Sequence, residues 1–321
     1  MTSSKSARIL LISRDPGGTN QLVALRQLLL SGQGGKFGIP DSDDVPELFI
    51  AAKEFAQAIW RNAGQDIIAL EQDLGEDRIR ELLNRIQPDF IYTGTSHIDD
   101  RTEQEVWRVA SQMGIPTAAL VDSQNSILLR FTDNRNVIVT PDRIFVVDAR
   151  SKQELTDAGV KKAHITVGGD LYRTHLGTVE NLAGQAGETR AHWQVEEGES
   201  VILFASDYIS EIGLDKFPHK VSEFDCLEYL LEALRGGNSF EGLKAPFRLV
   251  IRPHPKDTPG KYDNYPEQSQ NGLAIIVTDQ GSSLEAVGAA DIVVGMNSSL
   301  FREAEVLGVP VVPLIPLVQQ D

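Results

Sequence analysis

The chain has 321 residues, of which 41% are hydrophobic and 24% charged, so a disordered or low-complexity protein is excluded and roughly two domains are expected. Its 30 basic and 46 acidic side chains give a net charge of -16, which argues against a nucleic-acid binder or a protein held on anionic lipid by charge. The single cysteine, Cys226, excludes an intrachain disulfide, and no apolar run reaches the ~18 residues of a membrane span. We therefore expect a cytoplasmic protein whose one thiol is packed in a core.

Short, continuously apolar runs alternate with amphipathic stretches along the whole chain. In the first half the runs are 9–13, 48–51, 66–69, 90–93, 117–121, 144–147 and 165–167. In the second half they are 201–205, 247–251, 273–277, 292–294 and 309–313. Because runs without polar alternation are typical of strands buried on both faces, the pattern predicts parallel sheets covered by helices.

Several helix boundaries can be predicted from the residue types at their ends. Thr102 with Glu105, and Ser282 with Glu285, have the spacing of capping boxes. Ser298 or Ser299 is expected to cap a further helix. The stretch from 174 to 200 contains no strand-like run, so we predict a domain at 1–175, a linker at 176–198 and a second domain at 199–321.

The ends of the predicted strands are where a ligand site is expected, because open parallel sheets bind ligands at the carboxyl ends of their strands. The first strand is followed by Asp15, Gly17 and Gly18 at the start of a helix. Glycines there let the backbone approach an anionic ligand, and Asp15 is a candidate general base. The alternative is a glycine turn that serves only to pack the strand against the helix.

Two further candidate bases follow the fourth and fifth strands. His97 lies in a polar loop and titrates near neutral pH, so it could accept a proton from a sugar hydroxyl, although a surface or capping histidine is the alternative. Asp99 and Asp100, in the same loop, are expected to mark the entry to the next helix, with a catalytic role as the alternative. Asp122 follows a buried run and could pair with Arg130, its alternative role being that of a turn-forming aspartate.

The carboxyl-terminal half contains two polar clusters that suit an anionic ligand. Arg252, His254 and Lys256 project from a turn braced by two prolines and form a cationic group in an acidic protein. The loop with Asn297, Ser298 and Ser299 opens a helix, and Glu303 follows one turn later. The alternative for this second cluster is a plain helix cap and a solvated glutamate. With no second His or Cys at ligand spacing, we expect no metal site.

The segments RPHPKD at 252–257 and GMNSSLFREAEVLGVPVV at 295–312 resemble the nucleotide-binding half of GT-B glycosyltransferases. Relatives of those enzymes include non-hydrolysing nucleotide-sugar 2-epimerases and CDP-glycerol glycerophosphotransferases. The resemblance implies an α/β fold of two Rossmann-like, doubly wound parallel-sheet domains facing a cleft, with a carboxyl end shorter than in those enzymes. It also implies that Glu303, five residues before Gly308, binds the ribose and that the 297–299 loop, with Arg252 and His254, holds the diphosphate.

The resemblance further implies an enzyme that transfers a sugar or phospho-alditol unit from a nucleotide-activated donor, such as a UDP- or CDP-linked compound, to a polysaccharide or glycolipid acceptor. The donor is a substrate, and no cofactor is expected. A nucleotide-sugar 2-epimerase and a non-catalytic nucleotide-binding relative stay open as alternatives, as does a homodimer. Catalysis would draw its base from the amino-terminal half, at Asp15, His97 or Asp122.

Overall fold

The chain divides into two compact units, Met1–His175 and Leu176–Asp321, in a computed structural model. It describes residues 6–38, 45–72, 74–96, 100–124, 127–160, 164–177, 182–217, 219–237, 239–270, 272–296 and 298–319. The predicted bounds of the linker, 176–198, and the predicted cleft between the domains stay predictions.

In the described part of the first unit, seven strands form one parallel sheet in the order β3-β2-β1-β4-β5-β6-β7. The strands are β1 (Arg8–Ser13), β2 (Glu47–Ala52), β3 (Ile68–Ala69), β4 (Phe90–Thr93), β5 (Thr117–Leu120), β6 (Arg143–Val146) and β7 (Ile165–Val167). The helices between and after them are α1 (Pro16–Leu30), α2 (Phe55–Asn62), α3 (Glu76–Ile86), α4 (Thr102–Met113), α5 (Ala149–Asp157) and α6 (Leu171–Leu176). The strand order reverses between β1 and β4, as in a doubly wound sheet.

The second unit repeats this plan with a five-stranded parallel sheet among its described residues, in the order β12-β11-β8-β13-β14. Its strands are β8 (Ser200–Ala205), β11 (Phe247–Arg252), β12 (Leu273–Val277), β13 (Ile292–Gly295) and β14 (Val311–Pro313), with a small antiparallel pair of β9 (Ser239–Phe240) and β10 (Leu243–Lys244). Its helices are α7 (Leu182–His192), α8 (Ile209–Ile212), α9 (Glu223–Gly236), α10 (Ser283–Ala289), α11 (Leu300–Leu307) and α12 (Ile315–Val318). Here the order reverses between β8 and β13.

The central residues of the strands are mostly apolar because both faces of each sheet are covered. In β1, Ile9 and Leu11 pack into the core that contains Leu22 of α1. The residues between them, Leu10 and Ile12, pack on the opposite face with α3 and α4. Each buried Leu or Ile contributes roughly 1.5–3 kcal/mol before chain entropy is counted, so the apolar runs determine where the sheet lies. The predicted α/β class with two Rossmann-like sheets is confirmed.

Of the two predicted capping boxes, one is confirmed and the other is wrong. Ser282 and Glu285 form the predicted capping box at the start of α10. The capping box predicted at Thr102 is wrong, because Thr102 is the first residue of α4 and its N-cap is Arg101, whose side chain makes no cap hydrogen bond. The carboxylate of Asp100 accepts from the Thr102 amide at 2.9 Å, so Asp100 marks the helix entry as predicted, while Asp99 falls outside the described residues.

Candidate functional site

At the point where the first sheet reverses its order, the first turn of α1 lies against the loop after β4. A Cβ atom added at Gly18 would lie 2.9 Å from the Gly94 Cα and 3.0 Å from the Thr95 nitrogen. A Cβ added at Gly17 would lie 2.0 Å from an Asp122 carboxylate oxygen. Close packing against backbone therefore requires glycine at position 18, whereas at position 17 the obstructing atoms belong to the Asp122 side chain. The predicted contact of both glycines with an anionic ligand stays a prediction.

A chain of ion pairs joins the loops after β1 and β2 to the start of α4. The Arg14 guanidinium contacts Asp15 at 2.8 Å and Glu54 at 2.7 Å. Lys53, which follows β2, contacts Asp100 at 2.6 Å, and Arg14 approaches the same carboxylate at 3.5 Å. Asp15, a predicted base, thus lies at the carboxyl end of β1 inside an extended network of charges.

The other described candidate base in this unit, Asp122, is paired with Arg130 at 2.5 Å, and the predicted pairing is confirmed. Arg130 also donates to the Thr95 hydroxyl at 2.8 Å. Asp122 therefore connects the loops after β4 and β5 with the first turn of α1. His97 falls outside the described residues, so its role as a base stays a prediction.

Sequence reasoning missed Glu103, a carboxyl group in the first turn of α4. Its side chain is 3% exposed, and Ser96 donates to one of its oxygens at 2.8 Å. Burial raises the pKa of Glu103 to about 7; the Ser96 hydrogen bond opposes this, and the nearby carboxylates of Asp100 and Asp15 add to it. Nothing in the local sequence distinguishes Glu103 from the solvated glutamates of an amphipathic helix.

In the second unit, the carboxyl ends of β11 and β13 bring together Arg252, Ser283 and Glu303. Ser283, in the first turn of α10, donates to a Glu303 oxygen at 2.7 Å, and the glutamate is only 1% exposed. Arg252 donates to the carbonyls of Gln280 and Gly281 at 3.1 and 2.9 Å, and its charge interacts with Glu303. Two of the guanidinium nitrogens thus brace the loop before α10. The alternative of a solvated Glu303 is excluded by its burial.

The serine loop follows β13, the strand next to β8 at the reversal of the second sheet. Gly295 lies so close to β8 that an added Cβ would be 2.6 Å from the Ala205 carbonyl oxygen. Ser299 is the N-cap residue of α11 without a side-chain cap hydrogen bond, while the Ser298 hydroxyl accepts from the Leu300 amide at 3.2 Å. Asn297 falls outside the described residues.

His254 lies in the turn after β11 with its ring stacked on Tyr208, the centroids being 4.5 Å apart. Its Nδ1 accepts from the Lys256 amide at 3.1 Å, so the neutral ring carries its proton on Nε2. Burial, followed by the charges of Lys256 and Lys261, lowers the pKa of His254 to about 4. The imidazole is therefore neutral at neutral pH and can offer one hydrogen bond rather than a positive charge.

Lys261 is the second residue that sequence reasoning missed, and it is the cation shared by three carboxylates. Its ammonium is hydrogen-bonded to Asp257 at 2.7 Å, to Glu211 at 2.9 Å and to Glu223. Burial lowers the pKa of Lys261, but these hydrogen bonds outweigh it and raise the pKa above its usual value. The three carboxylates have a spacing that could hold a metal ion, yet the ammonium already contacts all of them.

Asp207, two residues after the end of β8, is a third group that the sequence did not single out. Burial raises its pKa to about 6, the hydrogen bond from the Tyr208 amide opposes this, and the charges of Glu223 and Asp257 add to it. The carboxyl end of the central strand in the second sheet therefore carries an acid that titrates close to neutral pH.

Structural comparison finds similarity to three proteins whose structures hold a nucleotide sugar. A UDP-GlcNAc 2-epimerase from Neisseria meningitidis, bound to UDP-GlcNAc, matches 96% of this chain and 82% of its own, with a TM-score of 0.62 and 12% identity. The Methanocaldococcus jannaschii UDP-GlcNAc 2-epimerase in complex with UDP-GlcNAc and UDP matches 96% and 83%, with a TM-score of 0.62 and 15% identity. Anabaena HepE in complex with UDP-glucose matches 95% and 80%, with a TM-score of 0.58 and 12% identity. At these identities the likeness establishes the GT-B-like fold.

No protein-family model matches the sequence, and no curated protein matches it either. Among the described helices, none is long and apolar enough to cross a membrane.

Proposed function

We propose that the chain is a nucleotide-sugar enzyme that transfers a sugar or phospho-alditol unit from a UDP- or CDP-activated donor. The observation that carries this proposal is the buried Glu303 beside Arg252 at the carboxyl edge of the second sheet. A buried carboxylate is costly unless polar groups satisfy it, and Ser283 donates one hydrogen bond to Glu303. The hydroxyls of a ribose would be suitable further donors to this carboxylate.

The diphosphate would lie next to Glu303, at the start of α11. The Ser298 and Ser299 hydroxyls and the first amides of this helix offer hydrogen bonds to phosphate oxygens, and the loop residue Asn297 would add an amide. His254 would donate from Nε2 without contributing charge, while Arg252 supplies a positive field from its place against the 280–281 carbonyls. These groups would also stabilise the charge that develops on the departing diphosphate.

The acceptor would be activated from the first unit. A polysaccharide or glycolipid hydroxyl must lose a proton as it attacks, and Asp15, His97 and Asp122 are the proposed bases. Gly17 and Gly18 allow α1 to approach the loops that carry two of these bases.

A 2-epimerase is the second candidate, because UDP-GlcNAc 2-epimerases are among the structural matches. Such an enzyme needs acid and base groups near the sugar ring and no acceptor. The many carboxyl groups at the carboxyl edge of the first sheet suit it as well.

Product analysis separates the two candidates. The purified chain is incubated with UDP-GlcNAc, UDP-glucose or CDP-glycerol, each with and without a glycan acceptor, and the products are resolved by mass spectrometry and NMR. A transferase releases nucleotide only when the acceptor is present, whereas an epimerase inverts a sugar carbon without it. Absence of any conversion or any nucleotide binding would contradict the proposal.

A further inference from the structure

Two carboxyl groups near the start of α4 sit in opposite electrostatic environments. Asp100 is surrounded by cations, with Lys53 at 2.6 Å and Arg14 at 3.5 Å, and it accepts from the Thr102 amide. Burial raises the pKa of Asp100, but the hydrogen bonds from Lys53 and Thr102 outweigh it and leave the pKa below its usual value. Asp100 therefore stays ionised and cannot store a proton near neutral pH.

Glu103 lies one turn further along the chain, and the charges around it differ from those around Asp100. Among the described residues, no salt bridge involves Glu103, and Ser96 is its side-chain hydrogen-bond partner at 2.8 Å. The charged groups that act most strongly on Glu103 are Asp100, two residues before α4, and Asp15, from the loop after β1; both are anionic and disfavour a second negative charge. A position in the first turn of α4 favours the ionised form of Glu103, but burial has the larger effect and raises the pKa.

We propose that Glu103 is the proton store of the first unit's strand-end site and exchanges its proton with the loop after β4 through the Ser96 hydroxyl. When two carboxyl groups lie close together and their environments separate their affinities for protons, one acts as a fixed charge and the other as an acid or base. Here Asp100 is the fixed charge. Glu103 is a positioning residue, since it would act through Ser96.

The use of this proton rests on the proposed function. An acceptor hydroxyl gives its proton to the Ser96 oxygen while Ser96 passes its own proton to Glu103. The electron pair of the broken O–H bond stays on the acceptor oxygen, which attacks the donor sugar. In the reverse direction the same pair returns a proton to a leaving oxygen, so no co-reactant is needed.

The test is a carbon-13 NMR titration of the full chain with its glutamate side-chain carboxyls labelled. We expect one carboxyl signal with a pKa of about 7 that is lost in Glu103→Gln and kept in Glu105→Gln, a glutamate on the same helix that pairs with Arg108. Ser96→Ala removes a hydrogen bond that favours the anion, so the Glu103 signal should titrate at higher pH still. These readouts do not depend on turnover.

Activity supplies the second readout, as the pH dependence of kcat with the donor and acceptor found by product analysis. Glu103→Gln and Ser96→Ala should remove the pH-dependent limb near 7 and leave KM nearly unchanged, while Glu103→Asp retains part of the limb. An ordinary glutamate titration near pH 4 to 5 would overturn the proposal, and so would unchanged pH profiles in both variants. A Glu103 signal near pH 7 in a chain that neither binds nor converts nucleotide sugars would leave the proton store in place and refute the proposed function.

Discussion

Replacing Lys261 by Met should destabilise the second unit strongly, because it leaves three carboxylates without their shared cation. The Lys261 side chain is 5% exposed, and two of its partners, Glu223 and Asp257, are 0% and 2% exposed. Removing one member of a buried ion pair typically costs 3–5 kcal/mol, so we expect a loss of about 3–5 kcal/mol at pH 8. Glu211, at 28% exposure, is partly hydrated and adds little to this loss.

The loss of stability caused by Lys261→Met should be smaller at lower pH. The Lys261 charge is among the factors that lower the pKa of Asp207 and Asp257, so without it both carboxyls should titrate at higher pH in the folded state. A carboxyl whose folded pKa exceeds its unfolded pKa takes up protons on folding, so its contribution to stability falls as pH rises between the two values. The variant should therefore recover part of its stability between pH 8 and pH 5.5.

The assay is urea unfolding of chains that contain 5-fluorotryptophan, followed by fluorine NMR. Trp193 reports on the second unit, whereas Trp60 and Trp107 report on the first. The exposed Lys216→Met serves as the matched control and should stay within about 0.5 kcal/mol of the wild type. A Lys261→Met loss below about 1 kcal/mol at pH 8, or an equal loss at both pH values, would refute the reasoning from buried charge.

Two further predictions concern close packing and pH. Gly18→Ala should cost about 1–3 kcal/mol in the first unit, because its Cβ would lie 2.9 Å from the Gly94 Cα and 3.0 Å from the Thr95 nitrogen, which are backbone atoms. Gly187→Ala, inside α7 and with no atom within 4 Å, should be neutral or slightly stabilising in the same urea assay. Equal stabilities of the two variants would contradict the packing argument. His254, whose folded pKa of about 4 lies below its ordinary value of 6.5, makes unfolding take up a proton, so stability should fall as pH drops from 6.5 to 4. His254→Asn should flatten this fall in chemical unfolding measured across that range, and an unchanged slope would contradict the burial of a neutral ring.

The sheets could be predicted from the sequence because each buried strand is a continuous apolar run. The runs at 9–13 and 201–205 could be recognised without knowledge of their partners, since burial on both faces favours apolar residues at nearly every position. The pair of β9 and β10 escaped prediction because each strand contains two residues. The error at Thr102 arose because a Thr-x-x-Glu spacing does not reveal that Asp100 accepts the helix's first amide.

The candidate site was only partly predictable for a similar reason. Asp122 and Arg130 are eight residues apart, and their pairing could be proposed from the chain itself. Glu103 is unusual only because the fold buries it, which its helical position does not reveal. The role of Lys261 depends on its hydrogen bonds to Glu211 and Glu223, which lie 50 and 38 residues away in the sequence and so cannot be recognised from it.

Calorimetric titration of UDP into the wild-type chain and into Glu303→Gln tests the proposed nucleotide site most directly. A charged hydrogen bond to the ribose is worth about 1.5–3 kcal/mol, so Glu303→Gln should weaken binding by roughly 10- to 100-fold. Glu305→Gln, an exposed glutamate on the same helix, should bind UDP as the wild type does. Equal affinities for UDP in the wild type and Glu303→Gln, or no binding of UDP and CDP to the wild type, would contradict the assignment.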